Sequence, residues 1–183
     1  MVNSQKKILI IVGPTAVGKS ALAVDLAQKF RGEIISCDSR QIYRGFDIGT
    51  DKPPVLVKQA VPHYLIDVVD PEETFSAADF SRLALEEIDR ILSRGNLPMV
   101  VGGTGLYHRA LVEGLFPGPG RDDSLRNRLK KEAQNDGLEN IYKKLQKIDP
   151  AYAEKISRAD GIRIIRALEI FYLTGRPISE HFS

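Results

Sequence analysis

Three groups of residues in this chain have the types and spacing that chemistry requires. The first is Gly13-Pro14-Thr15-Ala16-Val17-Gly18-Lys19-Ser20, which fits the pattern G-x-x-x-x-G-K-[ST] behind the apolar run Ile8–Val12. In such a loop two glycines let the backbone curl until several N–H groups point at one small volume. Lys19 adds a compact positive charge, and the Ser20 hydroxyl can ligate a magnesium ion. The second group is Ser36-Cys37-Asp38-Ser39-Arg40-Gln41. Asp38, at the end of a short apolar run, can accept a proton from a substrate amine or hydroxyl, or can cap the segment that follows. The third is Gly102-Gly103-Thr104, whose hydroxyl can reach a leaving-group oxygen or cap a helix over 106–115.

Other candidates carry weaker signals. Asp67 ends an apolar run, where it has the position of an acidic magnesium partner or simply of a turn residue. His63, His108 and His181 lie far apart, without metal-ligand spacing, and are assigned no chemistry. Cys37 has no adjacent base to activate it and reads as a small core residue. Arg163 and Arg166 stand three apart and so share a helix face, either a solvated one or one that meets phosphates and bases.

These groups need a scaffold. Strand-like runs at 7–12, 33–36, within 61–69 and at 97–101 alternate with helical patterns at 19–31 and from Ser76 to Gly95. In the first helix Leu22, Leu26 and Phe30 form the expected apolar face. In the second, Ser76 and Asp79 have capping-box spacing, and Phe80, Leu83, Ala84, Ile88, Ile91 and Leu92 share a face. Short apolar strands alternating with helices predict an α/β fold, a parallel sheet with helices on both faces. Ligands of such sheets bind beyond the carboxyl ends of the strands. The phosphate loop, Asp38, Asp67 and Thr104 are expected there.

At Phe116-Pro117-Gly118-Pro119-Gly120 the texture changes, which predicts a boundary between 1–116 and an all-helical segment over 117–183. Asp123, Asp149-Pro150 and Asp160 are the expected helix starts, and Gly137 and Gly175 the stops. On the last helix Ile162, Ile165, Leu168 and Leu173 are expected to face inward.

Composition narrows the class. With 43% hydrophobic and 27% charged residues, the 183-residue chain has the make-up of a globular protein. No apolar run approaches the roughly 18 residues that span a bilayer, and the polar start from Met1 leads into a phosphate loop rather than a signal-peptide cleavage site. A single cysteine points to a reducing cytoplasm. Residues 1–120 hold 13 basic and 14 acidic side chains and residues 121–183 hold 13 and 10, so the second part is mildly basic.

Taken together, the motifs resemble the tRNA dimethylallyltransferases, also called tRNA isopentenyltransferases. The resemblance runs through Gly13–Ser20, Asp38–Tyr43, Asp47-Ile48-Gly49-Thr50 with Lys52-Pro53, Pro62-His63, Ser76–Phe80, Gly102–Tyr107 and Arg163–Glu169. It implies a phosphate-loop NTPase-like core with a helical insertion. The activity it implies is transfer of a dimethylallyl group from dimethylallyl diphosphate to the exocyclic amine of the adenosine 3′ of the anticodon in tRNA. By the same resemblance Gly13 to Ser20 bind the diphosphate, with Thr15 near the isoprenyl group and Mg2+ at Ser20. Lys19, Asp38 and Thr104 are catalytic, Asp38 as general base and Thr104 at the reaction channel. Asp38, Ser39, Arg40, Gln41 and Thr104 meet the target base region. Arg126 and the stretch Ile162-Arg163-Ile164-Ile165-Arg166 contact tRNA, although the family usually has Gln at the place of Ile162. A cytoplasmic monomer with no membrane partner is expected.

Members of the family are longer, with a returning segment that completes the sheet and brings a further catalytic arginine. Transfer by a chain ending at Ser183 is accordingly expected to be weak or absent. Two other classes fit parts of the sequence: a small-molecule kinase that binds ATP at the phosphate loop, and a module that binds tRNA or diphosphate without turnover. No arginine-rich lid accompanies the loop, and a kinase would leave the helical segment unused.

Overall fold

The computed structural model describes residues 7–116 and 118–182. The N-terminal stretch before Lys7, Pro117 of the boundary run, and Ser183 lie outside the described residues. The chain divides into two compact units that meet between Leu115 and Phe116.

The first unit contains β1 (Leu9–Val12), α1 (Lys19–Phe30), β2 (Gly32–Ser36), α2 (Val55–Ala60), β3 (His63–Tyr64), α3 (Ala77–Ser93), β4 (Leu97–Gly102) and α4 (Gly105–Val112). The four strands form one parallel sheet in the order β1-β4-β2-β3. Alternation of side chains across the pleat explains why both faces are apolar. Ile34 pairs with Met99, and both pack with Val101 against Ala23 and Ala27 of α1. Their neighbours Ile35 and Val100 point the other way, into a core with Phe80, Ala84, Ile88 and Ile91 of α3 and Tyr107 and Ala110 of α4. The Ser76–Asp79 capping box opens α3 as expected.

Two expectations are corrected. In α1 the face turned to the sheet is Ala23 and Ala27, while Leu22 and Phe30 are exposed. The backbones come too close for larger side chains, since a Cβ on Gly32 would stand 3.0 Å from the Ala27 Cα. The third strand is only His63–Tyr64, because Leu65 and Asp67 adopt positive φ (58° and 56°) and turn the chain out of the ladder.

The far, amino-terminal end of the sheet is held by a buried carboxylate. Glu33 accepts from Arg94 Nε (3.1 Å) and Nη2 (2.6 Å), Asn96 Nδ2 (2.6 Å) and the Tyr64 hydroxyl (2.5 Å). Burial alone pushes a carboxyl up, but the bonds from Arg94, Asn96 and Tyr64 outweigh it and hold Glu33 down to about 2 from 4.5. The folded value lies below the unfolded one, so this stabilisation is present above about pH 4.5 and is lost as pH falls towards 2. A Glu33→Gln variant is expected to lose about 2 kcal/mol of stability at neutral pH. Its unfolding free energy should also vary less with pH over that acid window, as urea titrations at several pH values would show.

The second unit is helical throughout its described residues: α5 (Asp123–Asp136), α6 (Leu138–Ile148), α7 (Pro150–Ala153), α8 (Gly161–Thr174) and a 3-10 turn (Ile178–His181). Asp122, one residue before the expected Asp123, caps α5 by accepting from Leu125 N (2.8 Å). Asp149 caps α7 and Asp160 caps α8, and Gly175 ends α8 in the left-handed conformation. The inward face of α8 is rotated from the expected one. Ile164, Ala167, Leu168 and Ile170 are buried, whereas Ile162 is 84% exposed and Leu173 is also exposed.

Candidate active site

The phosphate loop leaves β1 and re-enters helix at Gly18, whose φ of 83° is the left-handed conformation that glycine adopts without strain. Gly18 has no side chain with which to cap α1, so the first-turn N–H groups are left for an anion. The Lys19 ammonium donates to the Pro14 carbonyl at 2.5 Å, folded back along the loop until a stronger acceptor displaces it. Thr15, Ala16, Gly18, Lys19 and Ser20 form one wall of a cavity of about 690 Å³. Gly13, Pro14 and Val17 shape the loop without lining that wall.

The cavity is lined as well from the ends of β2 and β4. Asp38, Ser39, Arg40, Gln41, Gly103 and Thr104 all line it, so the three chemically suggestive groups, scattered over 92 positions from Gly13 to Thr104, meet in one place. Their meeting depends on small residues. A Cβ on Gly102 would fall 2.1 Å from the Cys37 carbonyl oxygen, and one on Gly103 would fall 3.2 Å from the Gly13 oxygen. Thr104 stands at the start of α4 but does not cap it with its side chain. Its Oγ1 accepts from Ser39 N at 3.0 Å, and its own N–H donates to Cys37 O at 3.2 Å. Threonine therefore ties the two strand ends together and still has a proton to donate.

Asp38 caps the segment that follows it and also faces the cavity. Its Oδ1 accepts from Arg40 N (2.8 Å) and Gln41 N (3.2 Å), which fixes a turn, while the carboxylate lines the cavity. Gln41 is committed elsewhere: Oε1 accepts from Ser36 Oγ (2.9 Å), and Nε2 donates to Thr50 O and Asp51 O (2.9 Å each). It braces the segment 46–53 against β2 and has little left with which to read a base. Cys37 is fully buried, and burial together with the Asp38 charge pushes its thiol up to about 12, which makes it inert as a nucleophile.

Asp67 is not on the cavity wall. Its carboxylate is bound by Lys52 Nζ (2.5 Å), which also reaches Asp47 (2.9 Å) and the Tyr43 carbonyl (2.8 Å). Burial opposes the charge on Lys52, but Asp67 and Asp47 more than offset this and raise its pKa. Asp67 is thus a strut for the 46–53 loop, drawn aside by the positive φ that ended β3. The place expected for it is taken by Thr50, Asp51, Pro53 and His63, which line the cavity and to which the sequence reading assigned no chemistry. The glycine at 49, with φ 73°, was the local sign of a loop folding back on the site.

Among the described residues there is no cluster of three or more metal-ligating His, Cys, Asp or Glu side chains. At the loop the exposed Ser20 hydroxyl is an oxygen donor of the kind magnesium takes. That fits an ion carried on a diphosphate, which takes most of its ligands from phosphate oxygens and water.

In the helical unit the candidate contacts separate. Glu169 is completely buried, and its carboxylate accepts from Arg126 Nε (2.9 Å), Arg166 Nη1 (2.7 Å) and Asp122 N (2.8 Å). Arg166 also donates to Pro119 O at 2.9 Å. Arg126 and Arg166 therefore neutralise an internal charge and hold the entry to α5, a second task that spacing alone did not reveal. Burial raises the pKa of Glu169, and the bonds from Arg126, Arg166 and Asp122 more than reverse this. Arg163 is exposed, and its guanidinium pairs with Asp160 at 3.4 Å. Ile162 is exposed, but Ile164 is fully buried and Ile165 packs against the helical core, so the Ile164 side chain is not presented to a ligand.

Known proteins resemble this chain over nearly its whole length. A family model described as IPP transferase matches residues 41–183. The chain is 54% identical over 181 residues to tRNA dimethylallyltransferase 2 of Geotalea uraniireducens, covering 98% of this chain and 58% of that protein. It is 50% identical to the tRNA dimethylallyltransferase of Geobacter metallireducens, covering 97% and 57%. Among solved structures, the full-length tRNA isopentenylpyrophosphate transferase of Bacillus halodurans is 48% identical with a TM-score of 0.61, covering 94% of this chain and 57% of that one. A eukaryotic dimethylallyltransferase acting on tRNA is 36% identical with a TM-score of 0.76, covering 97% and 44%. The chain spans a little over half the length of the curated relatives it matches. With a family model over most of its length and relatives near half identity across nearly all of it, this chain belongs to the IPP transferase family.

Proposed function

We propose that this chain carries the catalytic core for transfer of a dimethylallyl group from dimethylallyl diphosphate to the exocyclic amine of the adenosine 3′ of the anticodon in tRNA. The observation that carries the reading is that Asp38 and Thr104 line the same cavity as Lys19 and Ser20 of the phosphate loop. A diphosphate seated on the loop amides and Lys19 is a leaving group whose growing charge is stabilised where it forms. Magnesium held at Ser20 would add charge neutralisation to that diphosphate.

As the allylic C–O bond breaks, the allyl carbon takes on cationic character and the adenosine nitrogen forms the new C–N bond. That nitrogen is a weak nucleophile, because its lone pair is drawn into the ring. Asp38 accepts the proton that the amine must lose, so charge does not build up on nitrogen. The Thr104 hydroxyl is free to donate to the departing oxygen. The adenine must leave its loop stack to reach Asp38, which costs a few kcal/mol that other tRNA contacts offset. Arg163 is one of the exposed arginines of the helical unit suited to a phosphate, and Arg126 and Arg166 keep further donors beyond those bound to Glu169.

A lone buried cysteine accords with the cytoplasm. The decisive experiment is mass spectrometry of tRNA after incubation with dimethylallyl diphosphate and magnesium. A dimethylallyl adduct confined to the nucleotide 3′ of the anticodon is the expected product. Consumption of ATP with transfer to a small molecule, and no RNA adduct, would overturn the reading.

A further inference from the structure

Beyond Arg40 the cavity continues into a second, more open hollow of about 500 Å³, lined by Arg40, Phe46, Asp47, Ile48 and Thr50. The two hollows share Arg40, Gly49 and Thr50, but only the first touches the phosphate loop. The second therefore lies at the end of the site away from the leaving group. Its lip is unusual in composition: Ile48 is 99% exposed and Phe46 is also exposed.

This lip is braced rather than loose. Thr50 Oγ1 bonds the Phe46 carbonyl, Gln41 Nε2 holds Thr50 O, Lys52 holds Asp47, and Phe46 packs on Tyr43 at 5.6 Å between ring centroids. These bonds hold the apolar Ile48 side chain out in water at the edge of the hollow. Beside it the exposed Arg40 guanidinium has no ion-pair partner among the described residues. An apolar surface next to an unpaired cation is the pairing that a nucleotide uses, with its base stacked and its phosphate bound.

In-line displacement adds direction. The nucleophile approaches the allyl carbon from the side opposite the diphosphate, and the second hollow is the one that does not touch the phosphate loop. We infer that the hollow over Phe46, Ile48 and Arg40 binds the RNA nucleotide flanking the target adenosine, with the base against Ile48 and Phe46 and its phosphate on Arg40. The inference rests on tRNA being the acceptor. Its volume falls within the roughly 300–1,000 Å³ of small-ligand sites.

The test measures binding of an anticodon stem–loop RNA by fluorescence anisotropy and binding of dimethylallyl diphosphate by calorimetry, on the unaltered chain and on Ile48→Ser. Stacking on one side chain makes a roughly tenfold loss of RNA affinity the expected result, with donor affinity unchanged. Ile48→Phe should bind RNA at least as well as the unaltered chain. Arg40→Gln should reduce the salt dependence of RNA binding by a slope of about one. RNA affinity unchanged in Ile48→Ser overturns the inference and leaves the proposed function standing. A loss of donor rather than RNA affinity also overturns it, assigning the hollow to the prenyl group. If the unaltered chain binds donor but no RNA, the acceptor assignment itself fails, and the inference with it.

Discussion

Asp38→Asn is expected to slow prenyl transfer by about 10²–10⁴-fold, the usual worth of a general base, while tRNA and donor affinities stay within severalfold. Asparagine is the informative replacement because of what Asp38 does structurally. Its Oδ1 accepts from Arg40 N at 2.8 Å and Gln41 N at 3.2 Å, and an amide oxygen can keep both bonds. The turn and the cavity wall survive, and only the capacity to take a proton is removed. Asp38→Ala confounds the two losses. Single-turnover rates at saturating tRNA and donor make the comparison. A variant that turns over at the unaltered rate would leave Asp38 as a turn residue alone.

Gly102→Ala is expected to destabilise the first unit by about 3 kcal/mol or more, a large change for one methyl group. The added Cβ would stand 2.1 Å from the carbonyl oxygen of Cys37 and 2.4 Å from its carbonyl carbon. Neither side can yield easily. Gly102 ends β4, which is hydrogen-bonded to β1 on one edge and β2 on the other, and Cys37 N is itself bonded to Val101 O at 2.8 Å. Any shift that relieves the clash separates Thr104 from Ser39 and opens the site. Gly105, three residues on, is the control. A Cβ there meets nothing within 4 Å, so Gly105→Ala should fall within about 0.5 kcal/mol of the unaltered chain. Urea midpoints at unchanged slope give both numbers. Equal midpoints for the two variants would show that the β4–Cys37 approach is not a constraint.

The elements that the sequence predicts well are those written in contiguous residues. The phosphate loop is eight residues with their strand and helix attached. The α3 capping box lies within four residues, Ser76 to Asp79, and Asp160 and Gly175 bound α8 as expected. Where periodicity failed, a neighbour had intervened. In α1 the apolar stripe through Leu22 and Phe30 is real, but the sheet is met by Ala23 and Ala27 because the backbones approach closely. In α8 the inward face was misjudged because Glu169, a charge, occupies a fully buried position that an apolar count cannot recognise. The two arginines that make this possible, Arg126 and Arg166, lie 43 and three positions away from it.

Legible in contiguous residues were the glycine-rich loop from Gly13 to Ser20 between a strand and a helix, the parallel sheet behind it, and the candidacy of Asp38 and Thr104. Each follows from local backbone chemistry, or from alternation along a few strands. Only the tertiary structure decided which side chains share the cavity. Thr104 is joined to Ser39 across 65 positions, Asp67 is pulled away by Lys52, and Gln41 is spent on bracing Thr50 and Asp51. Such pairings depend on how strands of distant sequence come into register and on which carbonyls are left to bind. No stretch of chain records them before it folds.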